Sequence, residues 1–285
     1  MSRIAYVNGR YLPFRDARVH VEDRGYQFAD AVYEVCEVSG GRLVDERRHL
    51  DRLERSLKEL RIALPMTRAA LGVVLRELVA RNRIDSGLVY LQISRGVAHR
   101  DPAFPVPEVA PSLVVTARRL DRKRIETLAA AGIAVISVAD NRWGRVDIKT
   151  VGLLPNVLAR QTAIDRGARE AWFVDKSGLV TEGASVNAWI VLQDGKLVTR
   201  QADHAILRGV TRTVLLDAVK GQGLSLEERA FSLAEAYAAR EAFVTSATQI
   251  VMPVVRIDGH VIGDGKPGPV SAALRREFHR FAEVG

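Results

Sequence analysis

Two periodicities alternate along the chain. Leu50, Leu53, Leu57 and Leu60 recur at the spacing of one helix face, and Leu71, Val74, Leu75, Leu78 and Val79 do the same behind Thr67, whose hydroxyl suits a helix start. The flanking segments follow the strand period instead. "AYVNGRYLPF" and "AVYEVCEVSGGRLV" read as strand pairs turned at Asn8-Gly9 and Gly40-Gly41. "LVYLQISRG" and "SLVVTAR" are strand-like as well, and the basic, apolar-poor stretch 118–126 then interrupts the pattern. From about residue 130 strands and helices alternate, beginning with "GIAVISVAD". There Ile133, Val135 and Ser137 share one face and Ala134, Ile136 and Val138 the other, so both faces read as largely buried. "PNVLARQTAIDRG" follows as a helix, with Pro155 near its start and Gly167 past its end. Asp194-Gly195 and Asp258-Gly259 mark further hairpins, Thr211 opens a helix, and Ser232-x-x-Glu235 forms a capping box. The pattern predicts an α+β chain in two parts: a small N-terminal domain over 1–120, a linker over 121–129 and a larger domain over 130–285.

Composition narrows the class. A chain of 285 residues, 47% hydrophobic and 27% charged, is long enough to bury substantial cores. Its single cysteine, Cys36, excludes an intrachain disulfide and fits a reducing compartment; CxxC zinc spacings are absent, so no metal site is expected. "MSRIAYVNGRYLPF" lacks the apolar core of a signal peptide, and no apolar run approaches the ~20 residues that span a bilayer. The expectation is a cytoplasmic protein without a membrane partner. A net charge of +8 raises the question of nucleic acid. However, Arg and Lys are interleaved with acids, as in "LDRLERSLKELR", and the one basic cluster, "RRLDRKR" (118–124), has no aromatic residues for base stacking. A solvated basic surface, on an enzyme handling anionic ligands, accounts for the charge without a nucleic-acid partner. There is no GxGxxG fingerprint, P-loop or internal repeat.

Chemistry enters at "RWGRVDIKTVGLLPN". Lys149 falls between two apolar elements, where an ammonium is costly to place. Downstream, "LVTEGASVNAW" puts Glu182 at the end of a strand-like run, followed by Gly183 and small residues that let backbone approach a flat ligand. "ILRGVTRTVLLDAV" places Gly209 and Thr211 at a helix start, and "FVTSATQIVMP" ends a strand in Thr245, Ser246 and Thr248. Both are amide-and-hydroxyl arrangements suited to an anion. A buried lysine, a carboxylate and two phosphate-type cups together meet the needs of pyridoxal phosphate. Taken singly, each residue has an ordinary reading. Lys149 could be a snorkelling surface lysine, Glu182 a solvated strand end, Arg52 part of a solvated helix face, Tyr33 core, Thr211 a helix cap, and His99 and Arg100 loop surface.

The blocks "EDRGYQFADAVYEV", "HLDRL", "RWGRVDIKTVGLLPNVLARQ", "VTEGASVN", "LRGVTR" and "FVTSAT", in this order, resemble the fold-type IV (class IV) pyridoxal-phosphate aminotransferases, and within them the D-amino acid aminotransferases. The resemblance implies a two-domain α+β fold with the cofactor between a small and a larger domain, and a homodimer with active sites near the subunit interface. It implies that Lys149 carries the cofactor, that Glu182 faces its pyridine nitrogen and that Arg52 binds its phosphate. Val210 and Thr211 match one set of phosphate contacts, and Ala247 and Thr248 the second. Tyr33 matches a tyrosine near the substrate carboxylate, and Arg100 an arginine that reaches that carboxylate from the other subunit. One departure stands out: these enzymes usually carry a histidine two residues after that arginine, whereas Pro102 stands here and the nearest histidine is His99. His99 is therefore taken with Arg100 as substrate-binding.

The implied activity is transamination between D-amino acids, such as D-alanine, and 2-oxo acids, such as 2-oxoglutarate or pyruvate. A branched-chain L-amino acid aminotransferase or an aminodeoxychorismate lyase of the same fold is the alternative. A non-enzymatic anion- or nucleic-acid-binding protein rests on net charge alone.

Overall fold

Asn8 and Gly9 take positive φ values of 44° and 90°, and Gly40 and Gly41 values of 57° and 73°, so both dipeptides turn the chain tightly. In the computed structural model, which describes residues 3–221 and 224–284, they close the hairpins β1 (Ile4–Val7)–β2 (Arg10–Pro13) and β3 (Ala31–Ser39)–β4 (Arg42–Leu43), with the short helix α1 (Arg24–Phe28) before β3. Helices α2 (Glu46–Leu60) and α3 (Arg68–Arg81) follow, then strands β5 (Ser86–Ser94) and β6 (Ser112–Arg119). The Thr67 side chain accepts a hydrogen bond from the Ala70 amide and caps α3 as its position predicts. These elements form a first unit, residues 1–121 together with 148–152 and 283–285.

Its antiparallel sheet runs in the order β2-β1-β6-β5-β3-β4. Val32, Cys36 and Val38 project from one face into a core with Leu50, Leu53 and Leu57 of α2 and Leu71, Leu75 and Leu78 of α3. Glu34 shares that buried face, an apolar environment for a carboxylate. Tyr33 and Val35 point the other way and remain half-buried, level with Gln92 and Tyr90 of β5. Residues 148–152 lie beside the start of β3. Thr150 bridges Val32, the Tyr33 amide donates to the Lys149 carbonyl, and the Val151 amide donates to the Ala31 carbonyl. Ile148 enters the same core.

The second unit comprises residues 122–147 and 153–282. It opens with α4 (Arg122–Ala131), β7 (Ile133–Ala139) and α5 (Leu154–Asp165). Strands β8 (Glu170–Val174), β9 (Leu179–Gly183), β10 (Asn187–Val191) and β11 (Leu197–Thr199) lead to helix α6 (Val210–Gly221). Next come β12 (Leu226–Glu228), β13 (Phe231–Ser232) and α7 (Leu233–Tyr237), whose start is the Ser232–Glu235 capping box. The unit closes with β14 (Glu241–Ser246), β15 (Ile250–Ile257), β16 (His260–Val261) and α8 (Pro269–Phe281). Its sheet order is β12-β11-β10-β14-β15-β7-β8-β9-β13, with β16 paired to β15. The β11–β12, β15–β7 and β7–β8 pairs are parallel. Among the described residues no helix is long and apolar enough to cross a membrane.

This division differs from the expected boundaries of 1–120, 121–129 and 130–285 in two respects. The stretch expected to link the domains is mostly helix α4: Arg122, Lys123 and Arg124 are good helix formers, and Ile125, Leu128 and Ala129 supply the one apolar stripe a surface helix needs. The short segments 148–152 and 283–285, expected in the larger part, group with the first unit. A further difference concerns α5, whose buried residues are Ala159 and Ala163. Leu154, Val157, Leu158 and Ile164 stay exposed, so α5 joins a core cluster with Ile136 and Phe173 through its alanines alone and its larger apolar residues stay outside it.

Glu241 fixes the start of α8. Its buried carboxylate accepts from the Val270 amide (2.9 Å), the Ser271 amide (2.9 Å) and the Ser271 hydroxyl (3.0 Å), meeting donors that a helix start leaves unpaired. Glu241→Gln turns one acceptor oxygen into a donor facing these groups. We expect a loss of roughly 1.5–3 kcal/mol in urea unfolding; an unchanged midpoint would contradict this role.

Candidate active site

Each unit holds its own part of the expected site. In the first, Lys149 lies on the segment beside β3, its backbone amide 3.3 Å from the Ser56 hydroxyl and its Nζ 4.2 Å from the centroid of the Tyr33 ring. A tyrosine face attracts an ammonium without neutralising it. Among the described residues Lys149 has no carboxylate partner. Lys149 and Tyr33 are thus brought together, Lys149 half-buried between sheet and solvent.

Arg52 stands on α2, one turn beyond His49 and across from Glu34. Its Nε donates to one Glu34 oxygen (2.8 Å) and its Nη2 to the other (2.7 Å), while His49 Nδ1 lies 2.7 Å from Glu34 Oε2. Burial by itself pushes the Glu34 carboxyl up, but the charge and hydrogen bonds of Arg52, with those of His49, outweigh it and bring it down to about 2. Arg52 is in turn raised above its ordinary value, since the adjacent carboxylate more than offsets burial. This fixes the guanidinium in place, as a ligand-binding arginine requires. Glu34 and His49 are not singled out by sequence reading. A glutamate on the apolar face of "AVYEVCEV" is the available signal.

His99 and Arg100 lie in the exposed loop after β5. His99 is 3.4 Å from the Glu22 carboxylate, and the Arg100 guanidinium stacks over Phe28 at 5.2 Å. No hydrogen bond or ion pair joins either residue to Tyr33 or Lys149 among the described residues.

In the second unit Glu182 is buried at the end of β9. Its Oε1 accepts from Arg142 Nη1 (2.5 Å), and its Oε2 from Asn187 Nδ2 (3.0 Å) and the Leu207 amide (3.2 Å). Arg142 is itself fastened by two bonds to Asp140 (2.9 and 2.7 Å). Burial pushes the Asp140 carboxyl up, and Arg142 more than compensates, holding it below the usual carboxylate value. Asn187 organises the rest. A Cβ built on Gly209 would sit 2.1 Å from Asn187 Oδ1, so only glycine lets the start of α6, with Val210 and Thr211, abut this amide. Asn187 also pairs with Thr245 on β14, immediately before the turn where the Ser246 and Thr248 hydroxyls are 3.1 Å apart and Ala247 lies between them. After that turn Ile250 takes a φ of 61°, a conformation that β-branched residues avoid, which marks the turn as a constrained one. Arg142 and Asn187 are likewise absent from the residues the sequence singles out. A lone asparagine opening the buried strand "NAWIV" is legible as a polar residue in need of partners. No group of three or more metal-ligating side chains occurs among the described residues.

Residues 31–257 match the family model of the class IV amino-transferases. The chain belongs to that family. It is 38% identical to the D-alanine aminotransferase of Staphylococcus haemolyticus over 278 residues, covering 98% of this chain and 97% of the relative. With the D-alanine aminotransferase of Listeria innocua the identity is 39% over 273 residues, covering 95% and 93%. Among solved structures, the branched-chain amino acid aminotransferase of Escherichia coli superposes with a TM-score of 0.89 at 24% identity, covering 98% of this chain and 94% of the other. A hypothetical aminotransferase from Mycobacterium tuberculosis in its PLP-bound form gives 0.84 at 21%, covering 98% of each chain. The aminotransferase thus has the two-part α+β fold-type IV architecture expected of it.

The depressed Glu34 carboxyl links stability to pH. Its contribution is present above the ordinary value of 4.5 and fades as pH falls toward about 2. In urea unfolding between pH 6 and 2.5 we expect the aminotransferase to lose on the order of 3 kcal/mol through this group. Glu34→Gln should start roughly 3–5 kcal/mol lower and lose less over the same window. Parallel acid losses in the two proteins would remove Glu34 as the cause.

Proposed function

We propose that this aminotransferase uses pyridoxal phosphate to transfer amino groups between D-amino acids, D-alanine among them, and 2-oxo acids such as 2-oxoglutarate or pyruvate. The observation that carries the reading is Lys149, an amine held over Tyr33 with no carboxylate partner among the described residues, in a chain 38% identical to a D-alanine aminotransferase over nearly its whole length. The donor set fits the cofactor. An aldehyde calls for an amine not engaged in an ion pair, a ring nitrogen for a fixed carboxylate, and a phosphate for hydroxyls and backbone amides approached closely, as the Gly209 cradle allows.

When bound, pyridoxal phosphate supplies an electron sink for the pair left behind as the substrate's α-proton departs. The chain's own residues do the rest. Lys149 would hold the cofactor through Nζ and, as a free amine, would take the proton from the substrate α-carbon and deliver it to the cofactor's C4′, acting as general base and then acid. Glu182, aligned by Arg142 and Asn187, holds a proton at the ring nitrogen. Arg52, Val210, Thr211, Ala247 and Thr248 hold the phosphate, Arg52 in the orientation set by Glu34. Tyr33, Arg100 and His99 orient the substrate carboxylate. We expect paired assays to show turnover of D-alanine and little of L-alanine, L-leucine or aminodeoxychorismate, and Lys149→Ala to abolish transamination while leaving the folded spectrum intact. Turnover by that variant, or preference for an L-amino acid, would overturn the respective assignment.

The reading extends to a cytoplasmic homodimer in which Arg100 serves the partner's site. Exposed apolar residues in the first unit, Val21 (73%), Tyr26 (75%) and Val106 (96%), and, within the second unit, the open stripe of α5, each support surfaces that an assembly would cover. Mixing an Arg100→Ala protein with a Lys149→Ala protein tests it. A mixed dimer then has one site with its lysine intact and an intact Arg100 from the other subunit, so activity should rise on subunit exchange. No recovery would place Arg100 at its own subunit's site.

A further inference from the structure

The sequence from Arg95 to Ala110 leaves the sheet after β5 and returns toward β6, and the first unit binds this excursion at three places. At its base, Gly96 has a φ of 109° and a Cβ built there would lie 2.1 Å from the Ala110 carbonyl oxygen, so the two legs meet at a point that admits only glycine. Just past its tip, the buried Arg24 donates from Nη1 to the Asp101 carbonyl (2.6 Å) and from Nη2 to the Pro102 carbonyl (3.3 Å), while its Nε is tied to Asp30 (2.8 Å). On the returning leg, the Phe104 ring packs against two guanidiniums, that of Arg95 at 3.6 Å and that of Arg61 at 4.7 Å. Arg95 is fully committed too, with two bonds to Asp30 (2.7 and 3.0 Å) and one each to the Arg61 and Leu60 carbonyls.

Arg100 contrasts with Arg24 and Arg95 and resembles Arg61, whose guanidinium likewise only stacks on a phenylalanine ring among the described residues. Arg100 is exposed, it stacks on the same Phe28 ring that Arg24 covers at 4.8 Å, and it makes no hydrogen bond or ion pair among the described residues. Arg24 and Arg95 spend their donors on carbonyls and on Asp30; Arg100 keeps its whole fork for something outside.

We propose that Arg24 and Phe104 are positioning residues that hold the loop rigid so that Arg100 is presented ready-formed to the carboxylate of the amino and oxo acid substrates. The inference rests on the reading of Arg100 as the carboxylate ligand and adds how it is held. Gripping the carbonyls of the two residues directly after Arg100 removes the backbone freedom a surface loop would otherwise lose on binding.

The test is a cycle of holoenzyme variants assayed with D-alanine and 2-oxoglutarate. Arg24→Met removes the carbonyl bonds and leaves Asp30 paired with Arg95. We expect it to raise KM for both substrates about tenfold, with kcat and cofactor absorbance nearly unchanged. Phe104→Ala, at a partly exposed ring that the fold tolerates losing, should raise KM severalfold, and Phe104→Trp should restore it. The deciding measurement is Arg24→Met, or Phe104→Ala should the former not fold, in an Arg100→Ala background. If they act through Arg100, the second change adds less than about twofold. Full multiplication of the effects, or a fall in kcat at constant KM, would overturn the proposal while leaving Arg100 as ligand. An unaltered KM in Arg100→Ala alone would overturn both.

Discussion

Glu34 sits on the apolar face of β3 with no accessible surface, and a carboxylate there stays ionised only if fixed cations surround it. Meeting that demand sets much of the first unit. It draws Arg52 and His49 of α2 onto the sheet, so the helix has a defined rotation as well as an apolar stripe, and it converts a long flexible arginine into an oriented one. The segment carrying Lys149 runs along the same strand, one residue from Glu34, and Tyr33 occupies the opposite face. Lysine and arginine are thus placed by one strand whose alternation sends a carboxylate to one side and an aromatic ring to the other.

The same constraint recurs wherever charge is taken from water. Asp30 joins two arginines, and Glu182 is matched by Arg142, which Asp140 fixes in turn. The cases differ in what they leave over. Around Asp30 and Glu34 the bonds close on the protein itself, consistent with supporting roles. Glu182 combines a charged partner with two neutral donors, which align the carboxylate at the end of a strand bordered by small residues. Supporting pairs hold the geometry, and the groups proposed to meet the ligand are those they leave oriented.

Much of this was legible in the sequence. The hairpin dipeptides, the α2 and α3 stripes, the Thr67 cap and the Ser232–Glu235 box depend on local chemistry, and each occurs where the pattern put it. Lys149 could be singled out because an ammonium between apolar runs contradicts its surroundings. Helix α4 was not legible, since a basic surface helix and a solvated linker have nearly the same composition. The exposure of the α5 leucines was hidden for the converse reason: apolar periodicity shows which residues share a face but not whether anything in the same chain covers it. Arg142, Asn187 and the Arg24 grip depend on partners distant in sequence, where spacing carries no signal.

The first unit takes in residues 148–152 from mid-sequence and residues near 284 from far beyond them. Val32 bridges Thr150, Val44 bridges Val284, and the Asp45 backbone and side chain both bond to Glu283, accounting for a carboxylate that is otherwise buried. Translation therefore imposes an order on assembly. All six strands of the sheet have been made by residue 119, yet the flank of β3 stays bare until residue 150 follows, and Asp45 lacks its backbone donor until residue 283 does. Between the last two of these events most of the second unit, residues 153–282, is synthesised, up to the end of α8. The part begun first is the part finished last, and the lysine arrives in it midway, before the first unit can close around its own final contacts.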